Sequence, residues 1–128
     1  MTEKYTIGVD FGTESGRALV VRVSDGKQIA DAVYPYPDGV IDESLPNSNI
    51  KLPPEWALQN PDDYIGVFQN AVPQALAASG IDPNDVIGIG TDFTACTMLP
   101  TLADGTPFIC LSHFPFHPLS WFYFFVPP

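Results

Sequence analysis

Residues 7–18, Ile-Gly-Val-Asp-Phe-Gly-Thr-Glu-Ser-Gly-Arg-Ala, constrain the fold more than any other stretch of the chain. Residues 6–11 alternate small or polar side chains with larger apolar ones, which predicts a strand with Asp10 near its carboxyl end. Residues 18–23, Ala-Leu-Val-Val-Arg-Val, form a second β-branched run, and Asp25-Gly26 then supplies a tight-turn dipeptide. The glycine-rich loop between the two runs therefore joins strand to strand as a hairpin.

That connection limits the kind of anion site the loop can form. Gly8, Gly12 and Gly16 lack the G-x-G-x-x-G spacing of a dinucleotide fold, and no G-x-x-x-x-G-K-[ST] loop is present. What remains is a turn in which Gly12 and Gly16 let backbone approach a ligand closely. Thr13 and Ser15 offer hydroxyl and amide donors, and Arg17 offers a fork-shaped permanent cation suited to phosphate oxygens. A carboxylate beside phosphate is repulsive unless a cation lies between them, so Asp10 is a candidate ligand of Mg²⁺. The same residues also suit a plain surface hairpin, and spacing alone leaves both readings open.

Further along, residues 28–36 predict a third strand that ends at Pro35 and Pro37, an edge-strand signature. Residues 38–54 lack periodicity and read as a long loop. Asn60-Pro61-Asp62-Asp63 predicts a helix start, with a capping side chain, proline in the first turn and acidic residues at the positive end of the macrodipole. Tyr64, Ile65, Phe68, Ala71, Val72, Ala75, Leu76 and Ala78 follow at helical spacing, Gly80 ends the run, and Pro73 predicts a kink near Gln69. Trp56 and Phe68 read as core residues. Residues 86–90 are almost wholly apolar, which suits a central strand covered on both faces and parallel to its neighbour. Thr91-Asp92-Phe93-Thr94 follows at the carboxyl end, where open α/β sheets bind ligands. Asp92 can accept two hydroxyl hydrogen bonds from a polyol or cap a loop amide instead. Residues 97–99 and 106–108, around Asp104-Gly105, predict a hairpin.

Fifteen acidic against five basic residues give a net charge of −10, which argues against nucleic acid and anionic membrane as partners. Cys96 and Cys110 have no metal-ligand spacing and read as reduced thiols. With no basic-then-apolar leader, a cytoplasmic location is the expectation. From Gly105 onward the chain has no Asp, Glu, Lys or Arg, yet Pro115 and Pro118 break any membrane-length helix there.

Residues 8–17, Gly-Val-Asp-Phe-Gly-Thr-Glu-Ser-Gly-Arg, resemble the first phosphate motif of the FGGY carbohydrate kinases. Residues 45–52, Leu-Pro-Asn-Ser-Asn-Ile-Lys-Leu, and 86–100, Val-Ile-Gly-Ile-Gly-Thr-Asp-Phe-Thr-Ala-Cys-Thr-Met-Leu-Pro, resemble the ribulokinase-like members in particular. The likeness spans residues 4–107. Residues 1–107 are thus expected to be the amino-terminal part of a first kinase lobe, and 108–128 an aromatic, proline-rich tail foreign to the family through a shifted frame or early stop.

The resemblance implies an α/β, ribonuclease H-like fold, that of actin, Hsp70 and sugar kinases, here a partial first lobe with a mixed sheet. It also implies ATP and Mg²⁺ as cofactors and phosphorylation of a ketopentose, L-ribulose to L-ribulose 5-phosphate, in L-arabinose catabolism. Gly12, Thr13, Glu14, Ser15 and Arg17 would bind phosphate, Asp10 the metal, and Asp92, Phe93, Thr94, Ala95 and Cys96 the sugar. The general base of the family falls in later sequence, so the 128-residue chain alone is expected to be inactive or nearly so. An actin- or chaperone-like nucleotide-binding module and a non-catalytic remnant are the alternatives.

Overall fold

A computed structural model of the chain describes residues 2–44, 49–94, 99 and 101–106. Its elements are β1 (Tyr5–Phe11), β2 (Ser15–Arg22), β3 (Gln28–Pro35), α1 (Pro61–Ser79), a short 3₁₀ turn (Pro83–Asp85) and β4 (Val86–Phe93). The chain divides into two compact units, one of Met1–Pro37 with Asp62–Thr94, which holds these elements apart from Pro61, and the other of Asp38–Pro61 with Ala95–Pro128.

The first unit is a mixed sheet with one helix on it. The strand order is β3-β2-β1-β4. β1–β2 and β2–β3 pair antiparallel and β1–β4 parallel. Strand alternation explains why the sheet has two unlike faces. Ile7, Val9 and Phe11 of β1, with Gly16, Ala18 and Val20 of β2, are buried beneath α1, while Gly8, Asp10 and Arg17 turn outward. The helix contributes Val67, Ala71 and Ala75 to the core, a four-residue repeat that places one stripe on the sheet. Gly80 ends α1 at φ 65°, the left-handed conformation that closes a helix without steric cost in glycine.

The close approach of helix to sheet leaves no room for a side chain at Gly16 and would press one at Gly66 against the movable Tyr34 ring. A Cβ on Gly16 would fall 2.2 Å from Val67 Cγ2, and a Cβ on Gly66 would fall 2.6 Å from the Tyr34 ring. Gly16 therefore packs against the helix and is not the ligand-approach residue that the loop composition suggests. Of the expected helical stripe, Tyr64, Ala71, Val72, Ala75 and Leu76 do pack on the core, and the differences fall at Ile65, Phe68 and Ala78. Ile65 and Phe68 are exposed, and Val67, between them, is fully buried, because the Gly66–Val67 step meets the sheet. The helix runs as one element through Pro73.

β4 is parallel to β1 as expected, but it is an edge strand among the described residues and not a doubly covered central one. Ile87, Ile89 and Phe93 are more than half exposed, since α1 covers β1 and β2 and stops short of them. Lys4 Nζ donates to Asp85 Oδ1 at 2.7 Å, joining the approaches to β1 and β4.

At the β2–β3 turn, Arg22 donates from Nε and Nη2 to the two oxygens of Asp25, at 3.0 and 2.7 Å. Lys27 N–H also donates to Asp25 Oδ1 at 3.0 Å. The Arg22 contact, then the Lys27 amide, hold the Asp25 carboxyl down at about 2 against an ordinary 3.8. A depressed carboxyl pKa contributes stability that is fully present above the unfolded value and lost as pH falls through the folded one. Asp25→Asn should therefore lower stability modestly near neutral pH, and the difference should vanish between pH 3.8 and about 2. Urea midpoints of both proteins across that range measure it.

In the second unit, the aperiodic stretch gains order from backbone pairing. Ile41 and Leu58 exchange two N–H···O bonds of 2.9 Å, and Leu52 N–H donates to Glu43 O at 2.9 Å. Asn60 Nδ2 donates to Asp38 Oδ2 at 2.7 Å. Residues 102–106 form a turn, with Leu102 N–H bonded to Thr106 O at 2.9 Å. Of the expected strands of that hairpin only Leu99 and Thr106 fall among the described residues, and neither is in a strand; residues 97, 98, 107 and 108 lie outside them, as do residues 45–48.

Candidate functional site

The turn after β1 is closed by two backbone hydrogen bonds. Gly12 N–H donates to Ser15 O at 3.0 Å, and a Cβ on Gly12 would fall 2.8 Å from that same oxygen. Only glycine fits, since the obstruction is backbone and cannot swing aside. Glu14 O in turn accepts from Tyr36 N–H at 3.0 Å, which ties the turn to the end of β3.

Three ionic side chains stand in one row on the sheet face opposite α1. Asp10 is in register with Arg17 on β2 and with Asp92 on β4, and in-register neighbours project from the same face. Arg17 Nε lies 3.7 Å from Asp10 Oδ2, with both side chains more than half exposed. An exposed pair of this length holds its partners loosely, leaving the guanidinium available to an incoming anion. Asp92 Oδ1 accepts from Phe93 N–H at 3.0 Å, so one of its oxygens caps its own strand. Gly8 and Gly90, one step down the strands and in register with each other, have open space where their side chains would be.

The expected sugar-side residues do not all face this row. Phe93 pairs with Phe11 and so projects to the α1 face. Thr94 N–H donates to Phe11 O at 3.3 Å, and its side chain bonds the Tyr64 hydroxyl. Ala95 and Cys96 lie outside the described residues.

Beneath the turn lies an aromatic cluster that sequence reasoning missed. Phe11 and Tyr64 meet edge-on at 5.5 Å, as do Tyr36 and Tyr64 at 5.6 Å. The buried Tyr36 hydroxyl has no hydrogen-bond partner among the described residues. Burial first, then Tyr64, Asp63 and Asp10, push its pKa well above the ordinary tyrosine value. Tyr36 stands between two prolines at the end of the expected third strand, so alternation there does not mark it as core. Asp63 is likewise buried, although its place in the first helical turn suggests a solvent-facing acid.

Among the described residues no group of three or more His, Cys, Asp or Glu is arranged to hold a metal ion, and no helix is long and apolar enough to cross a membrane. Mg²⁺ needs less, since it is held by one or two carboxylates together with substrate phosphates and water. The exposed Asp10 carboxylate at the strand end fits that demand.

No family model matches the chain. It is 57% identical over 121 residues to a ribulokinase of Halalkalibacterium halodurans, and 58% identical over 121 residues to one of Geobacillus thermodenitrificans. Each match covers 94% of this chain, and the chain spans about a fifth of those relatives' length, 22% and 21%. Over its matched length the chain is similar to FGGY-type sugar kinases, the ribulokinases in particular. Covering 94% of 128 residues leaves about eight unmatched, so likeness to these sugar kinases runs past Pro107, where the sequence reading expects it to end.

Solved structures of the same fold include a gluconate kinase from Lactobacillus acidophilus, with a TM-score of 0.62 at 18% identity. A xylulose kinase from Rhodospirillum rubrum aligns with a TM-score of 0.61 at 23% identity. They cover 84% and 81% of this chain, and 19% of each of those chains is matched. The fold is the ribonuclease H-like α/β fold of the sugar kinases, represented by part of one lobe.

Proposed function

We propose that the chain carries the phosphate-binding hairpin and part of the sugar side of an ATP-dependent ketopentose kinase, with L-ribulose as substrate and L-ribulose 5-phosphate as product. The observation that carries this reading is the row Arg17–Asp10–Asp92 on one face, beside a turn that only glycine can make. In such a reaction a sugar hydroxyl oxygen attacks the γ-phosphorus, the bond to the bridging oxygen breaks, and ADP departs. The protein's contribution is positioning and charge neutralisation.

Each assigned residue has a task suited to its chemistry. Gly12 lets the backbone close on the phosphate, with Thr13, Glu14 and Ser15 presenting amide and hydroxyl donors around it. Arg17 grips equatorial oxygens in bidentate fashion. Asp10 holds Mg²⁺, which when bound supplies charge neutralisation between carboxylate and phosphates. By the family resemblance, Asp92, Thr94, Ala95 and Cys96 are the residues that meet the sugar. Phe93 would act there through its backbone, since its side chain belongs to the other face. None of these residues takes the sugar's proton, and we assign that base to sequence beyond this chain's match. The cytoplasm is the setting this reading requires.

Calorimetry on the 128-residue chain tests the proposal. Mg-ATP should give a heat of binding that Arg17→Ala weakens about tenfold, the loss of one charge-assisted contact worth about 1.4 kcal/mol. A coupled assay with L-ribulose should show turnover at or near background. No heat with either Mg-ATP or L-ribulose would favour the non-catalytic remnant, and robust turnover would refute the partial-lobe reading.

A further inference from the structure

We propose, resting on the phosphate and sugar reading above, that Tyr64 is the positioning residue that joins the two halves of the site. Its hydroxyl holds Thr94 on the sugar side, its ring braces both ends of the phosphate turn, and order at one half is thereby passed to the other.

Tyr64 lies in the first turn of α1 and reaches three segments that are distant in sequence. Its ring meets Phe11 edge-on at 5.5 Å, and Phe11 is the residue before Gly12. It meets Tyr36 edge-on at 5.6 Å, and Tyr36 N–H donates to Glu14 O at 3.0 Å, inside the turn. The Tyr64 hydroxyl is hydrogen-bonded to the side chain of Thr94, the residue that follows β4. Thr94 N–H donates in turn to Phe11 O at 3.3 Å. Phe11, Tyr64 and Thr94 therefore close a ring of contacts, and Glu14 is attached to it through Tyr36. All of them belong to the first unit.

The contacts divide the work. Edge-on rings resist sliding, because the positive edge of one seeks the negative face of the other. They fix where the turn sits but give Thr94 no direction. The Thr94 N–H···O bond, at 3.3 Å, lies past the usual range of about 2.7–3.2 Å and holds the residue weakly by itself. The side-chain bond to Tyr64 supplies the second point of attachment. Tyr36 makes the contrast: its buried hydroxyl has no partner among the described residues, so it braces the turn through its ring and its backbone N–H. Of the two hydroxyls, the one on Tyr64 carries the polar link. Binding that orders the turn should then order Thr94, and binding at Thr94 should favour the turn by the same factor.

Amide exchange of the 128-residue chain, read residue by residue by NMR, tests the link. Tyr64→Phe keeps both ring contacts and removes only the hydroxyl, so Thr94 N–H should lose about fivefold in protection, the usual worth of one neutral hydrogen bond. The amides of Val23 and Gly26, bonded to Lys4 O and Arg22 O at the other end of the sheet, should not change. Thr94→Val breaks the same bond from the other side, and should cost the same factor. The double variant should lose no more than either single one. Tyr36→Phe should leave protection at Thr94 as it is. In the wild-type chain Mg-ATP should raise protection at Gly12 and at Thr94, and Tyr64→Phe should abolish the rise at Thr94 alone.

Unchanged protection at Thr94 in Tyr64→Phe, equal losses at Thr94, Val23 and Gly26, or losses that add in the double variant would each overturn the proposal. So would Mg-ATP protection of Thr94 that Tyr64→Phe leaves intact. If the wild-type chain gives no heat with Mg-ATP, the phosphate reading fails, and exchange in the free chain still decides whether Tyr64 positions Thr94.

Discussion

Gly16→Ala is expected to destabilise the chain by about 1–3 kcal/mol, the usual cost of forcing atoms into a filled core. The added methyl would lie 2.2 Å from Val67 Cγ2, 2.9 Å from Cγ1 and 3.1 Å from Cβ. Val67 cannot rotate out of the way, because a β-branched side chain in a helix has one favoured rotamer and this one is fully buried. The helix must lift from the sheet instead, loosening Ala18 and Val20 beneath it.

Gly66→Ala is the control. Its methyl would lie 2.6 Å from the Tyr34 ring, an equally severe number on paper. There, however, the obstruction is the far end of a half-buried side chain that can swing toward solvent. Helix propensity also favours the substitution by roughly 1 kcal/mol. The outcome should be close to neutral. Denaturant midpoints of the two variants, taken with unchanged m-values, measure the contrast, and equal losses would show that the contact with Val67 is not what distinguishes Gly16.

The same pair of glycines shows where sequence reasoning reaches and where it stops. Strand alternation from residue 6 to residue 22, the helix start at Asn60-Pro61, its end at Gly80 and the parallel strand after it are all local signals, and the structure contains each of those elements. Gly16 was readable too, since Arg17 turned outward obliges its neighbour to turn inward, but its composition within a glycine-rich loop pointed to a ligand. The phase of α1 was readable at Ala71, Val72, Ala75 and Leu76, but not the choice of Val67 in its first two turns. Ile65 and Phe68 are larger than Val67, and only the fit between Gly66, Tyr34 and Gly16 selects the smaller residue for the core. The row of Asp10, Arg17 and Asp92 needed the register of β1 against β4, whose partners Asp10 and Asp92 are 82 residues apart in the chain, which no local pattern encodes. For the same reason nothing local could show that Phe93 and Asp92, adjacent in sequence, serve opposite faces.

Phe11→Ala should be the most damaging single truncation in the first unit, costing about 3–5 kcal/mol as expected for a buried phenylalanine. Phe11 is only 7% exposed, and its ring meets Tyr64 at 5.5 Å and Phe68 at 5.4 Å. Deleting it removes apolar burial and two ring contacts at once, and the space left lies between helix and sheet where neither can collapse freely. Phe68→Ala loses one of those same contacts, but the Phe68 side chain is 40% exposed, so its removal opens onto water and should cost less than half as much. A small domain of ordinary stability has about 5–15 kcal/mol in total, so Phe11→Ala alone brings this one close to unfolding. The loss should also reach the hairpin. Phe11 is the last residue of β1, its carbonyl accepts from Thr94 N–H, and Gly12 begins the turn. In thermal melts Phe11→Ala should fall well below Phe68→Ala. If the two are equal, the aromatic cluster under the turn is not what holds β1 and α1 together.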